Sequence, residues 1–391
     1  MKILYHHRIR SKDGQYVHIE ELTQALRELG HEVVIIGPTA VEREAFGAEA
    51  GVVAWLKRKL PGFVYEPLEF AYAFADYLRL VRAIKRHRPD CLYERYNLYL
   101  PSGVWLSRCF NLPMLLEVNA PLYEERKRYG GLSLDRLALW TERTAWQGAD
   151  FVLAVTQVLA ERIRRAGVDL SRIVVMPNGI NLDRFGRIPN IEQAKRAFGL
   201  SGRLVLGFVG FMREWHGIEH VVDLLADSRD PHRHLLLVGD GPAREGIVRR
   251  ALARGVADRV TVTGVVGRER VAEYIAAFDV ALQPRVVEYA SPLKLFEYLA
   301  LGRAIVAPST PNLREVLIHG ENALLFDPDN PRGFLDAIER LCHDATLRSH
   351  LAAGASATIA RRGFTWRHNA ERVVELFHRL GVDGGKGASG G

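Results

Sequence analysis

The stretch ILYHHRIRSKDGQYVHIEELTQALRELGHEVVIIGP, residues Ile3 to Pro38, changes its hydrophobic period twice. An apolar run, Ile3-Leu4-Tyr5, is followed by Ile19, Leu22, Leu26 and Leu29 at the spacing of one helical face, then by the run Val33-Val34-Ile35-Ile36. That is strand, helix, strand. Gly30 stands where a helix end favours a residue free to take positive φ.

The alternation continues outward from there. A long amphipathic helix is predicted near Pro67 to Lys85, strands at Cys91 to Arg95 and Met114 to Val118, a helix around Leu132 to Trp146, and a strand at Phe151 to Val155. Parallel βαβ units are the natural reading. After Val174-Val175-Met176, the turn-rich stretch from Pro177-Asn178-Gly179 to Pro189 reads as an interdomain connection. A second cycle then places strands at Leu204 to Val209, Leu235 to Val238, Val260 to Thr263, Val280 to Leu282 and Ala304 to Ala307.

The expected fold class is therefore α/β, with two tandem Rossmann-like domains, 1–182 and 183–365, and an active-site cleft between them. Ligands in such sheets bind beyond the carboxyl ends of the strands. A C-terminal helix at about 366–381 is expected to pack back on the first domain. The glycine-rich 382–391, ending in DGGKGASGG, is expected to be a disordered tail.

Of 391 residues, 48% are hydrophobic and 25% charged, which argues against a disordered or fibrous chain. No run approaches the roughly 18 apolar residues of a membrane span, and MKILYHHRIR carries charge where a signal peptide needs its apolar segment. Cys91, Cys109 and Cys342 form no CxxC pair, so a cytoplasmic protein without a disulfide framework is expected. The net charge of +7 suits an anionic substrate or membrane surface, while the lack of a basic tract argues against a nucleic-acid partner. His6, His7 and His18 cluster near the start, yet no HxH or HExxH spacing makes a metal site, and no metal is expected.

The segment VVEYASPLKLFEYLALGRAIVAP, Val286 to Pro308, carries the most chemistry. Ser291 suits an N-cap and Pro292 the first helical position, with Gly302 past the end, so a helix is predicted over about Pro292 to Leu301. Free amides and the positive dipole end make such a start an anion site. Lys294 and Glu297 lie on one face of it, either as a surface pair or as a cation for phosphate and a carboxylate for sugar hydroxyls. After the first strand of the second domain comes VGFMREWHGIE, Val209 to Glu219. Here Gly210 permits close approach, Arg213 offers a phosphate fork, and His216-Gly217 is expected to begin the next helix. Asp13-Gly14-Gln15 forms a similar turn in the first domain.

GHEVVIIGP (Gly30 to Pro38), PNGINLDRF (Pro177 to Phe185), LLLVGDGP (Leu235 to Pro242), VTVTGVV (Val260 to Val266) and SPLKLFEYLALGRAIVA (Ser291 to Ala307) resemble, in this order and spacing, the retaining glycosyltransferases of family 4 with the two-domain GT-B fold. The resemblance implies that Arg213 and Lys294 bind the donor diphosphate, Glu297 the ribose and Glu288 the donor hexose. Arg213, Lys294, Glu288 and Asn119 form the implied catalytic set. Gly14, Gly210, His216, Gly264, Val265, Ser291, Pro292, Leu293 and Glu297 are the implied donor contacts, with Gly264 to Gly267 resembling a nucleobase loop.

Three positions depart from the family pattern. Eight residues separate Glu288 from Glu297 where the family has seven, and Tyr289 takes the usual first position, so either a one-residue bulge delivers Glu288 or the hexose is held differently. His216 stands where many members have a lysine before glycine, leaving Lys294 to supply the charge. Asn119 replaces a histidine after the fourth strand, which leaves its role open between catalysis and loop structure.

The implied reaction needs no cofactor and no metal. It moves a hexosyl unit from a nucleotide diphosphate sugar donor to a hydroxyl acceptor in glycoconjugate or polysaccharide biosynthesis. A sugar-nucleotide epimerase and a non-catalytic nucleotide-sugar-binding partner are the rival readings. The basic and aromatic VVAWLKRKLPGF, Val52 to Phe63, with Phe70, Tyr72, Phe74 and Tyr77 beyond it, suits peripheral docking on an anionic membrane carrying a lipid-linked acceptor. A helix pair covering the first domain's sheet is the alternative.

Overall fold

The computed structural model describes residues 1–9, 14–38, 60–184, 188–228 and 230–382. The turn residue Asp13, most of the basic segment (Trp55, Lys57, Arg58 and Lys59 included) and the terminal 383–391 lie outside the described residues. The chain forms two units: residues 1–178, 289–291 and 366–391, and residues 179–288 and 292–365.

In the first unit, β1 (Lys2–His6), β2 (Glu32–Ile36), β3 (Cys91–Arg95), β4 (Met114–Val118), β5 (Phe151–Ala154) and β6 (Ile173–Val175) make a parallel sheet in the order β2-β1-β3-β4-β5-β6. The longer helices are α1 (Gly14–Glu28), α2 (Gly62–His87), α3 (Ser102–Phe110), α4 (Asp135–Gly148), α5 (Gln157–Arg165) and α13 (Trp366–Arg379). The step from β1 to β2 runs across the sheet opposite to the later steps, so right-handed crossovers put α1 on one face and α2, α3 and α4 on the other. There α2 packs on α3 and α3 on α4, while α1 packs against α13. Continuous apolar strands explain the core: Ile3, Leu4, Leu92, Leu115 and Leu116 are all fully buried. Gly30 takes φ +87° and donates its N–H to Arg27 O at 2.9 Å, closing α1.

Several boundaries differ from the sequence reading for local reasons. Helix α2 starts at Gly62, five residues before Pro67, because the missing proline N–H removes only a first-turn bond to the carbonyl of exposed Phe63. Helix α4 starts at Asp135 rather than Leu132, since the N–H groups of Ser133 and Leu134 donate to the buried Glu66 carboxylate at 2.8 and 2.6 Å. The first unit ends at Asn178 rather than 182. Asn178 accepts from the His18 ring at 2.8 Å, whereas the Ile180 N–H goes to Phe364 O in the second unit. Val382, read as the start of a disordered tail, is buried.

The second unit has its own parallel sheet, ordered β12-β11-β10-β7-β8-β9. Its strands are β7 (Leu204–Val209), β8 (Arg233–Val238), β9 (Val260–Val262), β10 (Val280–Leu282), β11 (Ala304–Pro308) and β12 (Leu324–Phe326). The sequence reading did not place β12. The longer helices are α6 (Ile191–Ala197), α7 (Glu219–Asp227), α8 (Arg244–Ala253), α9 (Arg268–Ala276), α10 (Leu293–Ala300), α11 (Gly333–His343) and α12 (Ala345–Arg362). Among the described residues, no helix is long and apolar enough to cross a membrane.

Candidate functional site

From β7 the second sheet grows through β8 and β9 to one side and through β10 to the other, so its switch point lies beyond the carboxyl ends of β7 and β10. Beyond β7 the backbone is locked to the loop after β8. Gly210 N–H donates to Val238 O at 2.9 Å and Met212 N–H to Asp240 O at 2.8 Å. A Cβ on Gly239 would fall 2.3 Å from Gly210 O, and one on Gly241 2.2 Å from Met212 O, so only glycine lets these loops approach.

Gly210 itself, at φ +128°, clears the space beside Lys294, whose Nζ would lie 3.1 Å from a Cβ there. The ammonium stands 4.0 Å from the Phe208 ring centroid. Burial pushes Lys294 down from the usual lysine range to about 7, against Glu297, which raises it. Arg213 is exposed, its guanidinium 5.1 Å from the Phe211 ring centroid. Among the described residues, neither Lys294 nor Arg213 has a carboxylate within ion-pair distance. Two basic side chains therefore stand at one loop, with Glu297 as the carboxylate that acts on Lys294 from one turn along α10.

His216 does not add a third. Its Nδ1 accepts the Arg213 N–H at 3.1 Å, its ring packs 5.1 Å from that of Phe208, and burial, then Lys294 and Arg213, push it down to about 3. It is neutral, with the ring proton on Nε2, and it shapes the Arg213 loop. Nor do His216-Gly217 begin a helix. Glu214–His216 make one 3-10 turn that Gly217 ends at φ +67°, and α7 starts at Glu219, because the His216 ring turns back onto the Arg213 N–H.

The start of α10 also departs from expectation. The helix opens at Leu293, with Pro292 in extended conformation at the cap position. Ser291 does not cap it. In the first unit, the Ser291 hydroxyl accepts the Asn178 N–H at 3.2 Å and its carbonyl accepts Asn178 Nδ2 at 2.6 Å. Lys294 and Glu297 lie one turn apart on α10, both partly buried. Glu288 is exposed in a turn with Tyr289. Tyr289 belongs to the first unit, where its hydroxyl donates to Glu125 and Arg162 stacks 5.3 Å from its ring centroid. Gly264, at φ +71°, bridges to Gly239, and the neighbouring Val265 side chain is exposed. Gln283, directly after β10, escaped the sequence reading. Its Nε2 donates to Arg285 O at 2.7 Å, but its buried Oε1 has no partner among the described residues.

In the first unit Gly14 is the first residue of α1. Asn119 donates through Nδ2 to Glu117, which is fully enclosed: it also accepts from Tyr93 at 2.7 Å and Arg95 at 2.6 Å and faces His18 Nε2 at 2.9 Å. Asn119 and Ser291 thus hang on one chain of polar groups, Glu117-His18-Asn178. The switch point of this sheet, between β1 and β3, is filled by His6, whose ring nitrogens lie 2.6 Å from Glu94 and 3.2 Å from Asp76. Burial pushes His6 down, but Asp76 and Glu94 outweigh it and hold the imidazole up at about 9. A raised folded value stabilises below the unfolded histidine range and is lost as pH rises through the folded one. The melting temperature is expected to fall between pH 7 and 9.5, by roughly 2–4 °C for each kcal/mol lost. Calorimetry of His6→Gln should show a flatter alkaline limb; an unchanged slope would assign the loss to other groups.

Comparison with known proteins bears on what these loops do. The family model described as Glycosyltransferase Family 4 matches residues 12–184, and the one described as Glycosyl transferases group 1 matches 203–344. The chain belongs to the family 4 glycosyltransferases. It is 27% identical to a 2-deoxystreptamine N-acetyl-D-glucosaminyltransferase of Streptomyces fradiae, over 97% of this chain and 93% of that one. A D-inositol 3-phosphate glycosyltransferase of Xylanimonas cellulosilytica is 34% identical, over 59% of this chain and 57% of its own. Anabaena HepE, solved with UDP, shares the fold at a TM-score of 0.73 and 18% identity, covering 97% of this chain and all of that one. These matches are to transferases and do not favour the epimerase reading. The glycosyltransferase therefore has the two-sheet GT-B fold, each sheet in a Rossmann-like unit.

Proposed function

We propose that this glycosyltransferase takes a nucleotide diphosphate sugar as donor and moves its hexosyl unit to a hydroxyl acceptor with retention. The observation that carries the reading is that Lys294 and Arg213 stand together at the switch point of the second sheet. A diphosphate is the anion that such a pair suits, and the UDP in the HepE structure supports the same choice. As the bond to the sugar breaks, charge grows on the departing diphosphate, and preorganised cations stabilise it more than they stabilise the bound donor. Glu297 would receive the ribose hydroxyls, and the Gly264 loop the base. Glu288 is the carboxylate assigned to the hexose. With no other side chain offered as nucleophile, a donor phosphate oxygen would take the acceptor proton during same-face attack. The reading invokes no cofactor or metal.

Lys294 supplies a test independent of turnover. With its amine near 7, part of the protein lacks that proton at neutral pH, and a bound diphosphate would restore it. UDP is expected to bind with uptake of up to about one proton at pH 7–8, and affinity should fall as pH rises beyond 7. Titration calorimetry in two buffers of different ionisation enthalpy reads the uptake directly. Absence of binding by UDP-, GDP- and ADP-sugars alike would sink the donor reading; binding without proton uptake would remove Lys294 from it.

A further inference from the structure

We propose that the outer face of α2, α3 and α4 docks the protein onto an anionic lipid bilayer. Along α2, Val64, Leu68, Phe74 and Leu78 follow helical spacing and are all exposed, Phe74 by 56% and Leu78 by 54%. Exposed apolar rows of this length mark interaction sites on otherwise polar surfaces. The row continues sideways onto the two neighbouring helices. Trp105 of α3 lies 5.3 Å from the Phe74 ring and 6.3 Å from that of Phe70, which in turn meets Trp140 of α4 at 5.8 Å. Trp140 is itself 48% exposed. Tryptophan, with an apolar body and a polar N–H, is the side chain favoured at a membrane-water boundary.

Charge decides what covers this face. The acids of α2 are silent: Glu66 and Asp76 are buried, and Glu69 pairs with Arg126 at 2.7 Å. On α4 Glu142 is buried and Asp135 pairs with Lys127 at 2.9 Å. The exposed charges left are basic: Arg82, Lys85 and Arg86 continue the α2 row, Arg108 follows Trp105, and Arg136 and Arg143 flank Trp140. An apolar centre with a one-sign basic rim matches anionic headgroups over an acyl layer. The same rim would repel itself in a second copy of the chain. The surface stands without residues 52–59 and without the donor reading.

The test is co-sedimentation of the full chain with phosphatidylcholine vesicles, with and without a third of phosphatidylglycerol, at low and raised salt. Sedimentation is expected with the anionic vesicles alone, and to weaken with salt. The combined Arg82→Glu, Lys85→Glu and Arg86→Glu variant should lose roughly a hundredfold in partition coefficient. Phe74→Ser with Leu78→Ser should lose roughly tenfold or more. All five positions are exposed, so melting temperature and UDP affinity are expected to hold, which keeps this test separate from that of the donor. Failure of the unaltered protein to sediment with anionic vesicles overturns the proposal, as does wild-type partition by both variants. A dimer in light scattering that Phe74→Ser abolishes would overturn it too, by giving the face to a second copy.

Discussion

Lys294→Ala is expected to lose most glycosyl transfer, about 10²- to 10³-fold in turnover, while its melting temperature stays level or rises. The two halves of this result have one cause. Lys294 is held beside Phe208 and Gly210, where burial drives its pKa to about 7, so the unliganded fold carries the ammonium at a cost. Alanine removes that cost together with the charge proposed to meet the diphosphate, the usual opposition of stability and activity at a site. Arg213→Ala should act in the same direction on turnover. Its side chain is exposed, so the fold is not expected to respond, and His216 should keep its bond to the Arg213 backbone N–H. Steady-state rates at saturating and subsaturating donor, with calorimetric melting of each variant, check this. Near-normal turnover in both would remove the cation pair from the reaction.

Much of the fold was legible because buried parallel strands are short apolar runs bounded by turn residues. Cys91–Arg95, Met114–Val118, Leu204–Val209 and Val280–Leu282 stand where the sequence reading put them, residue for residue. Helix starts were less legible, because distant groups set them. Ser291 reads locally as a cap, yet Asn178 takes its hydroxyl from 113 residues away. Leu132 reads as helical, yet Glu66 holds the amides of Ser133 and Leu134 and delays the helix. At the candidate site, Arg213 and Lys294 stand out in the sequence by their residue types beside glycines, and the structure brings both to the loop after β7. The setting of His216 was not legible: nothing local distinguishes an open donor contact from a buried neutral ring that accepts a backbone N–H. The Glu117 cluster was hidden for a related reason, since His18, Arg95 and Asn178 share no spacing and meet only through the order of the first sheet. Asn119 acquires its tie to Glu117 only once that cluster is seen.

That cluster carries the second large expected effect. Glu117→Gln is expected to destabilise the first unit by about 3–5 kcal/mol, because it leaves Arg95 enclosed without its anion. Burial alone would raise the Glu117 carboxyl, but His18 and Arg95 outweigh it and hold the group well below the usual carboxylate range. A lowered folded value means that its stabilisation is present above the unfolded carboxylate range and is lost as pH falls through the folded one. The unaltered protein should thus lose stability on acidification below about pH 4.3, and Glu117→Gln should start lower and show a shallower acid limb. Glutamine keeps an oxygen for Tyr93 but turns its amide NH2 toward Arg95 and Asn119, so the variant removes the charge together with the acceptor those two donors share. Calorimetry of the full chain between pH 3 and 8, with UDP affinity as a separate readout on the second unit, separates the two domains' responses. If Glu117→Gln melted with the unaltered protein across that range, Arg95 would have another counter-charge, and the cluster would be reread as a hydrogen-bonded hub in which the carboxylate's charge counts for little.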